Sequence, residues 1–411
     1  MENFVLDQIR YGVKYLPKCL VGSYFKPLKS AETEAFRRKA GGFICGVCHP
    51  NENYDQIRQA NIGWIRIDIP FPYEKDGTIR KSYEDFKARC KGYKDRGIKV
   101  MAVTPYPGDY IAAGMDPRED EQSVREIAVF LINDLRAYID AVQITNEMGI
   151  PHFTLPLTEE EAARFIGINA EAMNDVKQDI LVGYNSAGPQ VDLHLMMKPY
   201  HKYCDYVGID IYIGCFANVG GFLYFFEALV RYLWNLTGKP VVIQEFGYIS
   251  GGKPKTKAEK REILRSYGVE SVREAYDKIE LFVDNLNDRM KEHIRHVSPD
   301  VSHQGDFLFK SDYVNHLFKE LPRTTLIPGY PHTPAGQGRF FRDLIPRLYA
   351  LPFVGGVIVY CYSDSDRCYM CGQPDCPTET RWGLVDVNGK EKPSYFAVKE
   401  AFGRIRFISP Y

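Results

Sequence analysis

The chain has 411 residues, a formal net charge of −1, 45% hydrophobic and 26% charged residues. That is ordinary globular composition, and the balanced charge gives no bulk signal for nucleic acid or an anionic membrane as partner. Ten cysteines in this length are too sparse for a disulfide scaffold.

The N-terminus, MENFVLDQIRYGVKYLPKCL, is interrupted by charges every few residues. It holds no apolar run long enough for a signal peptide or a membrane span. Phe4, Val5, Ile9 and Val13 fit a short amphipathic helix, and the expected location is cytoplasmic. From residue 42 onward short apolar runs alternate with helical patterns, the rhythm of parallel β/α units. The first run is GGFICGVCHP, the second GWIRIDIPF, from Gly63 to Phe71. A helical stretch follows, with Gly97 as its C-terminal stop. The third run is KVMAVTPYP. The next helix is expected to open at Ser123 with Glu126 at capping-box spacing.

The fourth run, AVQITNEMG, carries Glu147, and Thr158 with Glu161 marks a second capping box before a helix to about Gln178. Runs five and six are ILVGYNSAGP and YVGIDIYIG. The seventh, KPVVIQEFGYIS, holds Glu245, and the eighth is VGGVIVYCYSD. Eight strand–helix repeats close a barrel, so the predicted fold is α/β, a (β/α)8 barrel forming one domain over 1–411. Residues 251–337, after strand seven, exceed what a barrel needs. Their pattern at Ile279, Phe282, Val283, Leu286, Met290 and Ile294 predicts a helical insertion walling the catalytic face. Within it, His293 and His296 are expected to face solvent.

Glu147 and Glu245 fall at the ends of strands three apart on the ring, across the central pit from one another. Glycoside hydrolysis needs such a pair of carboxyl groups, one protonated and one ionised. The segments QITNEM and VVIQEFGY resemble the strand-four and strand-seven signatures of the glycoside hydrolase clan GH-A, which includes cellulases, mannanases, β-galactosidases and β-glucosidases. The resemblance implies a retaining β-glycosidase acting by double displacement on β-linked glycosides or oligosaccharides, without a required cofactor. It implies Glu147 as acid/base and Glu245 as nucleophile. Asn146 would hydrogen-bond the sugar 2-hydroxyl, Arg66 would sit near the nucleophile, and Tyr212 would hydrogen-bond it. His49, Tyr106, Asn185, Tyr362 and Trp382 complete the expected substrate-binding set. Strand eight departs from the clan pattern: Tyr360 and Tyr362 stand where a tryptophan platform is usual, and Trp382 is the candidate to replace it.

Cys368, Cys371 and Cys376 form C-x2-C-x4-C after strand eight, a spacing that admits a structural zinc. Because strand eight neighbours strand one in a closed barrel, Cys45 and Cys48 are candidates for the fourth ligand, with Asp375 and Cys361; plain reduced thiols are the simpler reading. Rival functions are a metal-dependent barrel hydrolase, which lacks its H-x-H pair here, and an inactive carbohydrate-binding barrel. A Schiff-base aldolase would need an inner lysine, and Lys99 and Lys239 stand at strand starts.

Overall fold

The computed structural model describes residues 30–188, 190–215, 222–321 and 326–408. The expected helix at Phe4–Val13 lies outside them. Eight strands close a barrel in chain order, each paired in parallel with its sequence neighbours and β1 with β8. They are β1 (Ile44–Cys48), β2 (Trp64–Asp68), β3 (Lys99–Val103), β4 (Ala141–Ile144), β5 (Leu181–Ala187), β6 (Tyr206–Ile211), β7 (Val241–Phe246) and β8 (Val354–Val359). Every residue of β1, β4, β6, β7 and β8 is buried. The barrel interior covers one face and the helices the other, so these strands read as near-continuous apolar runs. Where space is short the chain uses glycine: a Cβ on Gly208 would meet Gln244 Oε1 at 1.6 Å and Asn185 Cβ at 2.8 Å.

The helices follow their capping chemistry. Thr158 and Glu161 form the predicted reciprocal box, Thr158 Oγ1 accepting from the Glu161 amide at 3.2 Å and Glu161 Oε2 from the Thr158 amide at 2.8 Å. That helix ends at Asn174, short of Gln178. The helix expected at Ser123 begins at Glu121 instead, because Asp120 accepts from the Ser123 amide at 2.9 Å and is the true cap.

Between β7 and β8 run the helices Lys257–Ser266, Val272–Asp277, Ile279–Asp284, Asp288–Val297, Val301–Lys310 and Tyr313–Phe318. The apolar pattern over 279–294 is two helices, not one. Asn287 divides them by capping the second, accepting from the Met290 amide at 3.0 Å. Leu264, Phe282, Met290, Leu308 and Leu317 build a second apolar core, separate from the barrel's, and Cys368, Cys371 and Cys376 belong to it. The helix Pro334–Ala350, whose first residues fall before Gln337, contributes to the barrel core through Phe340, Phe341 and Leu344. His293 is buried and stacked on Tyr313 at 5.3 Å, contrary to the solvent-facing expectation, whereas His296 is exposed. Among the described residues no helix is long and apolar enough to cross a membrane.

Candidate active site

Polar side chains interrupt the apolar strands at the C-terminal mouth of the barrel, and they converge on Arg66. This guanidinium, on β2, is only 3% exposed. It donates through Nη1 to Glu245 Oε1 at 2.6 Å, through Nε to Gln143 Oε1 at 2.6 Å and through Nη2 to Asn146 Oδ1 at 2.6 Å. A planar five-donor fork can hold three acceptors in one plane, which a lysine cannot. The pairing of Arg66 with the neighbouring Asp68, the simplest local alternative, does not occur: Asp68 is exposed. Tyr212, just past β6, donates to the other oxygen of Glu245, so both carboxylate oxygens accept from side-chain donors.

Glu147 lies three residues beyond β4, not at the strand's last position. Thr145 and Glu147 both adopt left-handed backbone, at φ 53° and 47°. Non-glycine residues rarely take that conformation, and it concentrates at functional sites. The turn is held by the Thr145 amide donating to Thr104 Oγ1 at 2.9 Å and by the Glu147 amide donating to Asn185 Oδ1 at 2.9 Å. Burial, and then the charge of Glu245, push the Glu147 carboxyl up to about 8, while Arg66 acts in the opposite direction.

Asn146 sits between them. Its Oδ1 accepts from Arg66 Nη2, from Gln143 Nε2 at 3.0 Å and from Asn185 Nδ2 at 2.7 Å. An oxygen so committed fixes the amide orientation and leaves the nitrogen as the group that can reach a ligand.

Other expected positions divide. Tyr106 stacks on Phe153 at 5.6 Å, and its phenol is pushed up by burial and then by Asp68, with smaller effects from Glu245 and Glu147, so it reaches the pit. His49, at the end of β1, is exposed and meets Tyr360 edge-on at 5.3 Å; Tyr360 in turn meets Tyr212 at 5.6 Å. Trp382 stands behind this wall, 2% exposed, against Tyr212 at 5.1 Å and Tyr360 at 5.5 Å, with Nε1 donating to the Thr378 carbonyl at 2.6 Å. It buttresses the wall and does not present an open platform. Two expectations are corrected. Tyr362 is fully buried and spends its hydroxyl on Gln56 Oε1 at 2.7 Å, away from the pit. Asn185 is 1% exposed and uses its amide on Asn146, Asp210 and the Glu147 amide, so it is committed to positioning the site.

The site also holds residues that sequence reading missed. Gln143 and Asp210 are polar residues inside AVQI and YVGIDI, and that interruption was their available signal. A register shift between Ile209 and Asp210 sets Asp210 opposite Glu245. Burial, then Glu245 and Glu147, raise the Asp210 carboxyl well above its ordinary range. Glu379, on the short helix Pro377–Thr380 after β8, is raised in the same way by burial, with Glu245 the next cause. Nothing in its local sequence marks it.

At the opposite end of the barrel Lys99 and Lys239 donate to the carbonyls of Ala40 at 2.6 Å and Cys204 at 2.8 Å, outside the pit. The cysteine loop gathers with a different partner from those expected. His316, Cys368, Cys371 and Cys376 are all buried, with their donor atoms within 4.8 Å of one another. Cys45 is a buried thiol pushed up to about 12 by burial, Cys48 donates to the Gln244 carbonyl at 3.4 Å, Cys361 to the Ser363 carbonyl at 3.2 Å, and Asp375 pairs with Lys319 at 3.0 Å.

Neither a protein-family model nor a curated protein matches the chain. Solved structures do. The Ignisphaera aggregans GH53 catalytic domain superposes with a TM-score of 0.53 at 17% identity, over 92% of this chain and 97% of that one. Faecalibacterium prausnitzii β-glucuronidase gives 0.50 at 14% identity, over 88% of this chain and 49% of that one. The chain therefore spans about half the length of the β-glucuronidase. The fold is the closed (β/α)8 barrel of these glycoside hydrolases.

Proposed function

We propose that this chain is a clan GH-A-type retaining β-glycosidase acting by double displacement on neutral β-linked glycosides or oligosaccharides. The observation that carries the reading is the unequal carboxyl pair. Glu147 is raised to about 8 by burial and by Glu245, while Glu245 is ion-paired with Arg66 and accepts from Tyr212. One protonated and one ionised carboxyl at neutral pH is what glycosidic cleavage requires.

In the first step the Glu147 carboxylic acid gives its proton to the glycosidic oxygen as the C1–O bond breaks. A Glu245 oxygen bonds to C1 from the opposite face, and the aglycone leaves as an alcohol. In the second step the Glu147 carboxylate takes a proton from water, the water oxygen bonds to C1, and the ester bond to Glu245 breaks. Two inversions leave the configuration unchanged. Glu245 is neutral while esterified, so a main cause of the raised Glu147 value disappears when Glu147 must act as base. Asn146 donates Nδ2 to the 2-hydroxyl, where charge develops in the transition state.

The sugar's charge follows from the same electrostatics. Glu147, Asp210 and Glu379 all resist ionisation in this pit. A uronate would add a further carboxylate beside the Glu245 charge that already raises these groups, which supports a neutral sugar. The nine described cysteines, all free and buried, support a reducing, cytoplasmic setting.

The test is a panel of 4-nitrophenyl β-glycosides, neutral sugars and the glucuronide, with the first-formed hemiacetal identified by proton NMR. The β-anomer should appear first, from a neutral member. An α-anomer first would overturn retention, preference for the glucuronide would overturn the neutral assignment, and inertness across short and oligomeric β-glycosides would favour an inactive binding barrel. Tyr212→Phe should lower kcat/KM by roughly 10–100-fold, since a hydrogen bond to a charged group contributes about 1.5–3 kcal/mol. Its ring contacts to Trp382 and Tyr360 remain, so thermal unfolding should hardly move; an unchanged kcat/KM would remove Tyr212 from the nucleophile's support.

A further inference from the structure

We propose that His316, Cys368, Cys371 and Cys376 bind a structural zinc ion that staples the β7–β8 segment to the loop after β8. Three thiols and an imidazole are a common tetrahedral zinc donor set, and four protein ligands close the coordination sphere. The spacing fits before any metal is added. His316 Nδ1 lies 3.4 Å from Cys368 Sγ and 3.5 Å from Cys376 Sγ. Zinc–sulfur bonds of about 2.3 Å and a zinc–nitrogen bond of about 2.0–2.1 Å at tetrahedral angles require a nitrogen–sulfur edge of roughly 3.5–3.6 Å.

The backbone around the first two cysteines is also built for a metal. The Cys371 amide donates to Cys368 Sγ at 3.4 Å. The Gly372 amide donates to the Cys368 carbonyl at 2.7 Å with φ at 69°, a tight turn that brings the two sulfurs to one side. Plain thiol packing explains buried cysteines, which behave as small apolar groups. It does not explain a buried imidazole directing one nitrogen at two of three sulfurs.

The two ligand-bearing segments are otherwise joined by polar contacts. Asn287 Nδ2 donates to the Cys371 carbonyl at 3.0 Å, Arg289 Nε to the Tyr369 carbonyl at 2.6 Å, and Gln373 Nε2 to the His316 carbonyl at 3.3 Å. Each alone contributes about 1 kcal/mol, whereas a structural zinc contributes folding free energy outright. Cys376 immediately precedes the helix that carries Glu379, and Trp382 follows it. The metal would therefore fix one wall of the pit without touching it, in a structural role, independent of the reaction assigned above.

The test uses the full chain, purified under reducing conditions without chelator. Elemental analysis and native mass spectrometry should find one zinc per chain, and cobalt exchange should give the visible bands of tetrahedral, thiolate-bound cobalt. Cys371→Ser and His316→Ala should lose the metal, while Cys90→Ser, at a buried thiol outside the cluster, should keep it. If the ligand variants fail to fold, a thiol-reactive mercurial on wild type should release one zinc to a zinc-responsive dye. Hydrogen exchange over 257–318 and 365–380 should accelerate in the zinc-free protein, with the barrel strands unchanged. Folded wild type that carries no zinc and takes up no cobalt, or a disulfide among the three cysteines, would overturn the site. Zinc loss with no change in exchange over those segments would overturn the staple.

Discussion

Glu245→Gly should lower turnover by about 10⁴-fold or more, and azide should restore it as the α-glycosyl azide. Removing the nucleophile eliminates the glycosyl-enzyme and opens space on the α face, where a small anion can attack C1 directly while Glu147 still protonates the leaving group. One inversion then replaces two, so the product's configuration reports which face lost its carboxylate. Glu147→Ala makes the complementary case: with an activated aryl leaving group the glycosyl-enzyme forms, and azide attacks from the β face to give the β-glycosyl azide. The two products, read by NMR, would be exchanged if the roles were. The variants must be compared as folded proteins, because Arg66 is paired with Glu245 at 2.6 Å in a buried site. Breaking a buried pair from one side typically costs about 3–5 kcal/mol. Gln143 and Asn146 still accept from the same guanidinium, which limits the loss. A Glu245→Gly protein that is folded and still hydrolyses at near wild-type rate would end the nucleophile assignment.

The barrel was legible because its chemistry is local. Parallel strands covered on both faces appear as apolar runs, and a charged Arg66 or Glu245 inside such a run stands out. What was not legible depends on where chain segments meet. β4 ends at Ile144, and the two left-handed residues that follow re-aim Glu147; no sequence pattern announced that turn. Asn185 was recognisable as a polar strand residue, but its three internal partners, which commit its amide to the site's framework, are tertiary. The cysteine spacing exposed three ligands of the proposed metal site. For the fourth the sequence points to β1, because β8 pairs with it, and that pairing is real, Cys45 opposite Val357. His316 lies 52 residues before Cys368, on a helix that only the folding of the β7–β8 segment brings to the loop.

The pH profile of kcat/KM should carry a high-pH limb near 8, falling about tenfold per unit above it. The free enzyme is active with Glu147 protonated, and burial together with Glu245 raises that carboxyl to about 8. Glu147→Gln should abolish this limb. It should reduce kcat by roughly 10²–10⁴-fold for a poor leaving group in the bond-breaking step, and far less in that step for a dinitrophenolate that departs unprotonated. The same shift bears on stability, with a definite sign. A carboxyl that holds its proton more tightly folded than unfolded stabilises the fold fully below its ordinary value, 4.5, and loses that contribution as pH rises through about 8. The thermal stability of wild type should therefore fall from pH 5 to pH 8.5 more than that of Glu147→Gln, whose side chain cannot ionise. A high-pH limb that survives in Glu147→Gln would assign the titration to another buried carboxyl. Asp210 and Glu379, both raised by burial and by the Glu245 charge, are the groups to replace next, and Asp210→Asn would separate them because it keeps an acceptor for the Asn185 amide at 2.6 Å.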